Sequence, residues 1–178
     1  MAETLYHTQI NTPLGEMEAI ASAKGVCLLE FASRKELDKE KKALETHFDS
    51  KLVNGNNAHL DLLSKELAAY FNGELLEFTV PIVLNGTAFQ KKVWQALLEV
   101  PYGETRTYME QTKIIGDQKA IRAVATANGK NQIAIVVPCH RIIGSDGSLT
   151  GYAGGIENKR ALLNLERKIA GPKDLFNQ

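Results

Sequence analysis

The chain predicts an α/β (α+β) fold in two halves, a mixed sheet-and-helix scaffold over residues 1–81 and a mainly helical segment over residues 82–178. Three observations predict it. Alternating apolar residues between turn signals occur only near the start, which places the sheet there. Apolar residues at helical spacing then dominate, and after Pro81 a pair of capping boxes and a glycine separate short helices. Lys and Arg are also unequally shared: eight face thirteen Asp and Glu through Pro81, and thirteen face eight from Ile82, a net −5 followed by a net +5. A polyanion such as a nucleic acid would therefore bind the second half.

Thr12-Pro13-Leu14-Gly15 is a turn, Met17, Ala19 and Ala21 share one strand face, and Lys24-Gly25 is a second turn before the apolar run Val26–Phe31. A hairpin follows. Cys27 lies inside that run and reads as a small packed hydrophobe. Ser33-Arg34-Lys35-Glu36 has the pattern of a capping box ahead of Leu37, Leu44 and Phe48, while Leu60, Leu63, Leu67 and Phe71 mark a second helix stopped by Asn72-Gly73. Nothing in this half carries a chemical signature; His7, His47 and His59 are scattered.

The second half opens with another capping box, Thr87-Ala88-Phe89-Gln90, and a helix whose apolar face is Phe89, Val93, Trp94, Leu97 and Val100, ended by Pro101-Tyr102-Gly103. Thr107–Glu110 caps a short helix to Ile115, Gly116 breaks it, and Asp117 begins another that runs to Asn128-Gly129. Helix, tight turn and helix form a helix-turn-helix pattern. On the second of these helices Ala120, Val124 and Ala127 face inward. Arg122, Gln118, Ala125 and Thr126 face out, a small, polar surface with one long cation that suits either an ordinary solvated helix face or one that lies close to a duplex.

Ile133–Val137 is a run of five apolar residues that predicts a buried strand stopped by Pro138. Cys139, His140 and Arg141 follow at its end. A thiol becomes a nucleophile as the thiolate, and either His140 or Arg141 could lower its pKa. Beyond them Ser145-Asp146-Gly147 is a turn, Gly151, Gly154 and Gly155 make a loop that a flat ligand could approach, and Tyr152 could stack on it. The last helix, about Ile156 to Ala170, carries Lys159, Leu162, Leu163, Glu166 and Ile169 on one stripe. Its two ionisable residues need partners if buried.

Pro138-Cys139-His140-Arg141, with Asn131 eight residues before the cysteine, Gly151-Tyr152-Ala153-Gly154-Gly155 after it, and Lys159, Leu162-Leu163 and Glu166 beyond, resembles the methylated-DNA–protein-cysteine methyltransferases over roughly residues 78 to 167. The resemblance implies repair of O6-alkylguanine, and of O4-alkylthymine, in double-stranded DNA by irreversible transfer of the alkyl group to Cys139. It implies His140 as base, Glu166 holding the imidazole through a water, and Asn131 orienting it. Arg122 would fill the space of a flipped nucleotide. Tyr108 would help rotate the phosphate and protonate the leaving guanine, with Ala123, Thr126 and Arg141 among the DNA contacts. Backbone around Val137 and Ala153 would read the base edge, in a pocket shared with Pro138, Tyr152 and Lys159. Gln132, Ala125 and Thr112 depart from the common pattern at non-reactive positions. No cofactor, metal or obligate protein partner is implied, and the protein is expected to act as a monomer.

Two cysteines exclude a disulfide framework and a four-cysteine zinc site. Neither a basic-then-apolar leader nor an apolar run of ~20 residues is present, so a soluble, cytoplasmic protein is expected.

Overall fold

The computed structural model describes residues 3–171. Strands β1 (Leu5–Thr12), β2 (Gly15–Ser22) and β3 (Gly25–Phe31) form an antiparallel meander, and a short β4 (Leu52–Asn54) adds parallel to β1, giving the order β3-β2-β1-β4. The expected hairpin is β2–β3. The half-buried and polar residues of β1 and β4 give no clean alternation, which hides both strands in the sequence.

Helix α1 (Leu37–Phe48) covers one face of the sheet, where Leu37 and Leu44 meet Leu5, Ile20, Leu28 and the buried Cys27. Helix α2 (Ala58–Phe71) covers the other, placing Leu60, Leu63 and Leu67 with Met17, Ala19 and Ala21. The period of two on β2 is thus obeyed on both sides. Ser33–Glu36 is not a capping box: α1 starts after Glu36 with no side-chain cap, because Arg34 is drawn inward to Glu30 and Glu40.

Helices α3 (Ala88–Leu98), α4 (Tyr108–Ile115) and α5 (Ile121–Gly129) pack on one another in the second half. Both expected capping boxes are made, at Thr87/Gln90 and Thr107/Glu110. Gly116, at φ 109°, ends α4, and Asp117 caps a single 3-10 turn that leads into α5. Trp94 donates its indole N–H to the Ala127 carbonyl at 2.8 Å, and Gln111 and Asn128 exchange two amide hydrogen bonds, so the helices are joined by buried polar contacts as well as by area. Phe89 is 37 % exposed and leaves the expected apolar face of α3. Short strands β5 (Arg106–Thr107) and β6 (Ile142–Ile143) pair in parallel, and α6 (Ile156–Ala170) follows. Ile169 is 40 % exposed, one turn beyond the buried stretch of α6.

The outer edge of β3 is where the two halves meet. Val26 N–H donates to the Pro81 carbonyl and Val83 N–H to the Val26 carbonyl, each at 2.8 Å; further along, Leu29 N–H donates to Gln132 O and Ala134 N–H to Leu29 O, again at 2.8 Å. A strand edge that would otherwise be an open template is filled by backbone from the second half. Residues 133–137 are buried as expected but are not a strand. After the single bridge to Leu29, Ile135 turns at φ 71°, and Val136 and Val137 donate back to Ala134 and Ile133. A β-branched residue in the left-handed region stores about 1–3 kcal/mol. Among the described residues no helix is long and apolar enough to cross a membrane.

A β-carbon on Gly25 would lie 2.6 Å from the Pro81 carbonyl oxygen, backbone against backbone. Gly25→Ala is therefore expected to lower stability by about 1–3 kcal/mol. The urea midpoint should fall with an unchanged slope; an unchanged midpoint would show that Pro81 can move away freely.

Candidate active site

Cys139, His140 and Arg141 form one 3-10 turn that starts at Pro138, so the backbone has left extended geometry before the cysteine and its two neighbours diverge. The Cys139 sulfur lies 3.2 Å from Asn131 Nδ2, which also donates to the Val137 carbonyl at 2.8 Å, while Asn131 Oδ1 accepts from Ile133 N–H at 2.9 Å. All the polar atoms of that amide are committed. Burial pushes the Cys139 thiol up, with the Asn131 hydrogen bond and the charges of Lys159 and Arg34 acting against it.

His140 is fully buried, and its Nε2 lies 2.6 Å from Glu166 Oε2. The contact is direct, not the water-bridged one expected. Glu166 also accepts from Tyr70 Oη at 2.6 Å and from Arg141 Nε at 2.8 Å and Nη2 at 3.1 Å. Burial alone would raise its pKa, but the hydrogen bonds and charges of His140 and Arg141 hold it at about 2. Glu166 is thus a carboxylate at neutral pH and requires a proton on His140 Nε2. Burial keeps the imidazole pKa low, against the pull of Glu166, so the resting ring is neutral. Nδ1, buried and without a hydrogen bond among the described residues, is left with the lone pair of a base.

Arg141 is expected at the DNA surface, and the structure corrects this. Its side chain is 9 % exposed, bonds Glu166 and the Val100 carbonyl, and lies 5.6 Å from the Tyr102 ring centre. A guanidinium so held orients the carboxylate. The carbonyl of Val137 is likewise not free to read a base, because it accepts from Asn131 and from the Cys139 amide. Lys159 does not meet Glu166; its ammonium bonds the carbonyls of Ile142 at 2.5 Å and Thr150 at 3.0 Å and lies 5.9 Å from the Tyr108 ring centre.

The pocket at Cys139 is lined by Glu30, Phe31, Arg34, Asn131, Tyr152 and Ala153 among others. Tyr152 stands edge-on to Phe31, with ring centres 6.5 Å apart. Pro138 faces a neighbouring groove with Tyr102 and Arg141 instead. Tyr108 donates its hydroxyl to Thr150 O at 3.0 Å, so it remains a phenol; burial raises its pKa. Arg122, Ala123, Ala125 and Thr126 lie on the outward side of α5, Thr126 donating back to Arg122 O at 2.9 Å. The helix that carries them runs through Lys130 straight into Asn131.

Three participants escape sequence reasoning: Tyr70, Glu30 and Arg34. Tyr70 has a usable signal, a hydroxyl on the buried face of α2 one turn after Leu67, which must find a partner. Glu30 and Arg34 pair with each other four residues apart, but the carbonyls of Gly129 and Asn131 that Arg34 also meets are almost a hundred residues away and leave no signal.

Glu166 supplies stability wherever it is ionised in the fold. Its pKa drops from an ordinary 4.5 to about 2, so this contribution is complete above about pH 4.5 and is lost as pH falls toward 2. Glu166→Gln should cost a few kcal/mol at pH 7, because Arg141 keeps a buried charge with no counterion, and should flatten the loss of stability between pH 4.5 and 2. Denaturant midpoints across that range read both. A variant with the same acid slope as the parent would assign the slope to other carboxylates.

Family models match both halves of the chain: the ribonuclease-like domain of 6-O-methylguanine DNA methyltransferase over residues 5–84, and its DNA-binding domain over residues 88–168. A methylated-DNA–protein-cysteine methyltransferase of Mycobacterium tuberculosis is 61 % identical over 110 residues, which are 62 % of this chain and 66 % of that protein. One from Methanosarcina barkeri is 44 % identical over 162 residues, 91 % of this chain and 97 % of its own length. The crystal structure of Mycobacterium tuberculosis OGT in complex with DNA superposes with a TM-score of 0.80 at 43 % identity, covering 96 % of this chain and 97 % of that one. With its pocketed cysteine, its histidine–glutamate pair and near full-length similarity to these proteins, the chain belongs to the methylated-DNA–protein-cysteine methyltransferase family.

Proposed function

We propose that the protein reverses O6-alkylation of guanine, and of the matching O4 position of thymine, in double-stranded DNA by moving the alkyl group onto Cys139. The observation that carries this reading is the 2.6 Å contact between Glu166 and His140, the residue that follows the thiol in its turn, since it fixes the ring proton on Nε2 and leaves Nδ1 of the buried ring as a base. His140 Nδ1 takes the thiol proton, and Glu166 steadies the imidazolium that results. Sulfur then attacks the alkyl carbon, the S–C bond forms as the C–O6 bond breaks, and the guanine leaves with the electron pair. Tyr108 supplies the proton that neutralises it and regains one from the imidazolium by way of solvent, so the thiol proton ends on the guanine and both side chains return to their resting forms. The product thioether has no leaving group that restores the thiol, so each molecule acts once.

An alkyl carbon within a duplex cannot reach a pocketed thiol, so the nucleotide must be flipped out. The outward face of α5 suits the minor groove, with Arg122 filling the gap and Ala123, Ala125 and Thr126 permitting close approach. Residues 1–81 serve as scaffold and 82–178 as the DNA-binding and acceptor domain. Tyr152 and Ala153 contact the flipped base, while Asn131 orients Cys139. The protein acts as a monomer in the cytoplasm, with no cofactor.

Mixed with a duplex bearing one O6-methylguanine, the protein should repair no more than one lesion per molecule. Intact mass should rise by one methyl, located on Cys139 and not on Cys27. Repeated turnover, or the methyl on another residue, would remove the reading. Arg122→Ala should slow transfer from duplex DNA about tenfold or more, because flipping costs a few kcal/mol, and leave transfer from the free base O6-methylguanine nearly unchanged. Equal slowing on both substrates would assign Arg122 to the fold.

A further inference from the structure

Arg34 has no assigned part in the transfer proposed above, yet its guanidinium reaches the centre of the site. Its side chain is 7 % exposed. Nη2 donates to the Gly129 carbonyl at 2.9 Å and Nη1 to the Asn131 carbonyl at 3.3 Å, while Nε lies 2.7 Å from Glu30 and 2.8 Å from Glu40. These contacts join the end of β3, α1, the end of α5, and the turn that carries Asn131.

We propose that Arg34 is a positioning residue for alkyl transfer, a clamp from the N-terminal sheet that fixes Asn131, and through it the Cys139 sulfur, relative to the DNA-facing helix. Three observations support it. The last carbonyls of a helix lack intrahelical partners and carry the negative end of its dipole, so a cation at Gly129 O is well placed there. Asn131 commits its side-chain amide to Val137, Cys139 and Ile133 and its N–H to Asn128 O at 3.2 Å, and Arg34 is the side chain that reaches its carbonyl. Both Arg34 and Glu30 line the Cys139 pocket.

The two glutamates have a defined role. Buried beside Glu40, Glu30 has its carboxyl pKa pushed up to about 9, and burial raises that of Glu40 too. Their oxygens flank Nε at 2.7 and 2.8 Å, so Nη1 and Nη2 are left to the carbonyls of Asn131 and Gly129.

This inference rests on the reading of Cys139 as acceptor and is tested on the parent protein with O6-methylguanine, as free base and in duplex DNA. Arg34→Ala should slow transfer from both substrates roughly tenfold, unlike Arg122→Ala. The pH at which iodoacetamide captures Cys139 should move upward on Arg34→Ala in the folded parent by more than it does in an Asn131→Ala background, where only the loss of the Arg34 charge acts. Arg34→Lys, which can reach one carbonyl but not both, should recover some of the rate. In an Asn131→Ala background, Arg34→Ala should have little further effect. An unshifted capture profile, or full additivity with Asn131→Ala, would overturn the clamp and leave Arg34 a scaffold residue. Absence of transfer in the parent would instead overturn the acceptor reading itself.

Discussion

One buried carboxylate organises the second half of this protein. Glu166 is 1 % exposed and brings together Tyr70 from α2, His140 and Arg141 from the cysteine turn, and its own helix α6. Desolvating such a group costs several kcal/mol unless donors surround it. Those contacts fix the imidazole ring plane and its tautomer, and they tie α2 to the turn that carries Cys139. The geometry of the site and the tertiary structure are thus one network here, and a change to any member alters both.

The resting electrostatics restrain the thiol as much as they activate it. Burial keeps Cys139 protonated and His140 neutral, so the ion pair forms only when the proton moves. On the proposed reading, a residue that reacts once gains from such restraint, because a permanently exposed thiolate would be consumed by small electrophiles.

Much of this is legible in the sequence because it is local. The capping boxes at Thr87 and Thr107, the break at Gly116 and the apolar face of α2 are set by residues three or four apart. The grouping of Cys139, Asn131 and Glu166 is legible through the resemblance, not through spacing. What stays hidden depends on distant partners. Residues 133–137 have the composition of a strand, yet only Ile133 finds an edge to pair with, and the rest must turn to deliver Cys139. Arg141 has the charge of a DNA contact and the neighbourhood of an ion-pair centre; only the fold shows that Glu166 claims it. Arg34 sits in a pattern that suits a helix cap until Glu30 and Glu40 draw it away from the helix terminus.

The covered edge of β3 has a bearing on the order in which the chain organises itself. Leu29 and Ala134 are joined by backbone hydrogen bonds across more than a hundred intervening residues. Closing so long a loop is entropically unfavourable until other contacts have shortened it, so the meander and the helix pairs, whose partners are near in sequence, form first. The turn that carries Cys139 is completed by that pairing. On the proposed reading, a chain in which it has not yet formed holds its cysteine without the base and carboxylate that would arm it.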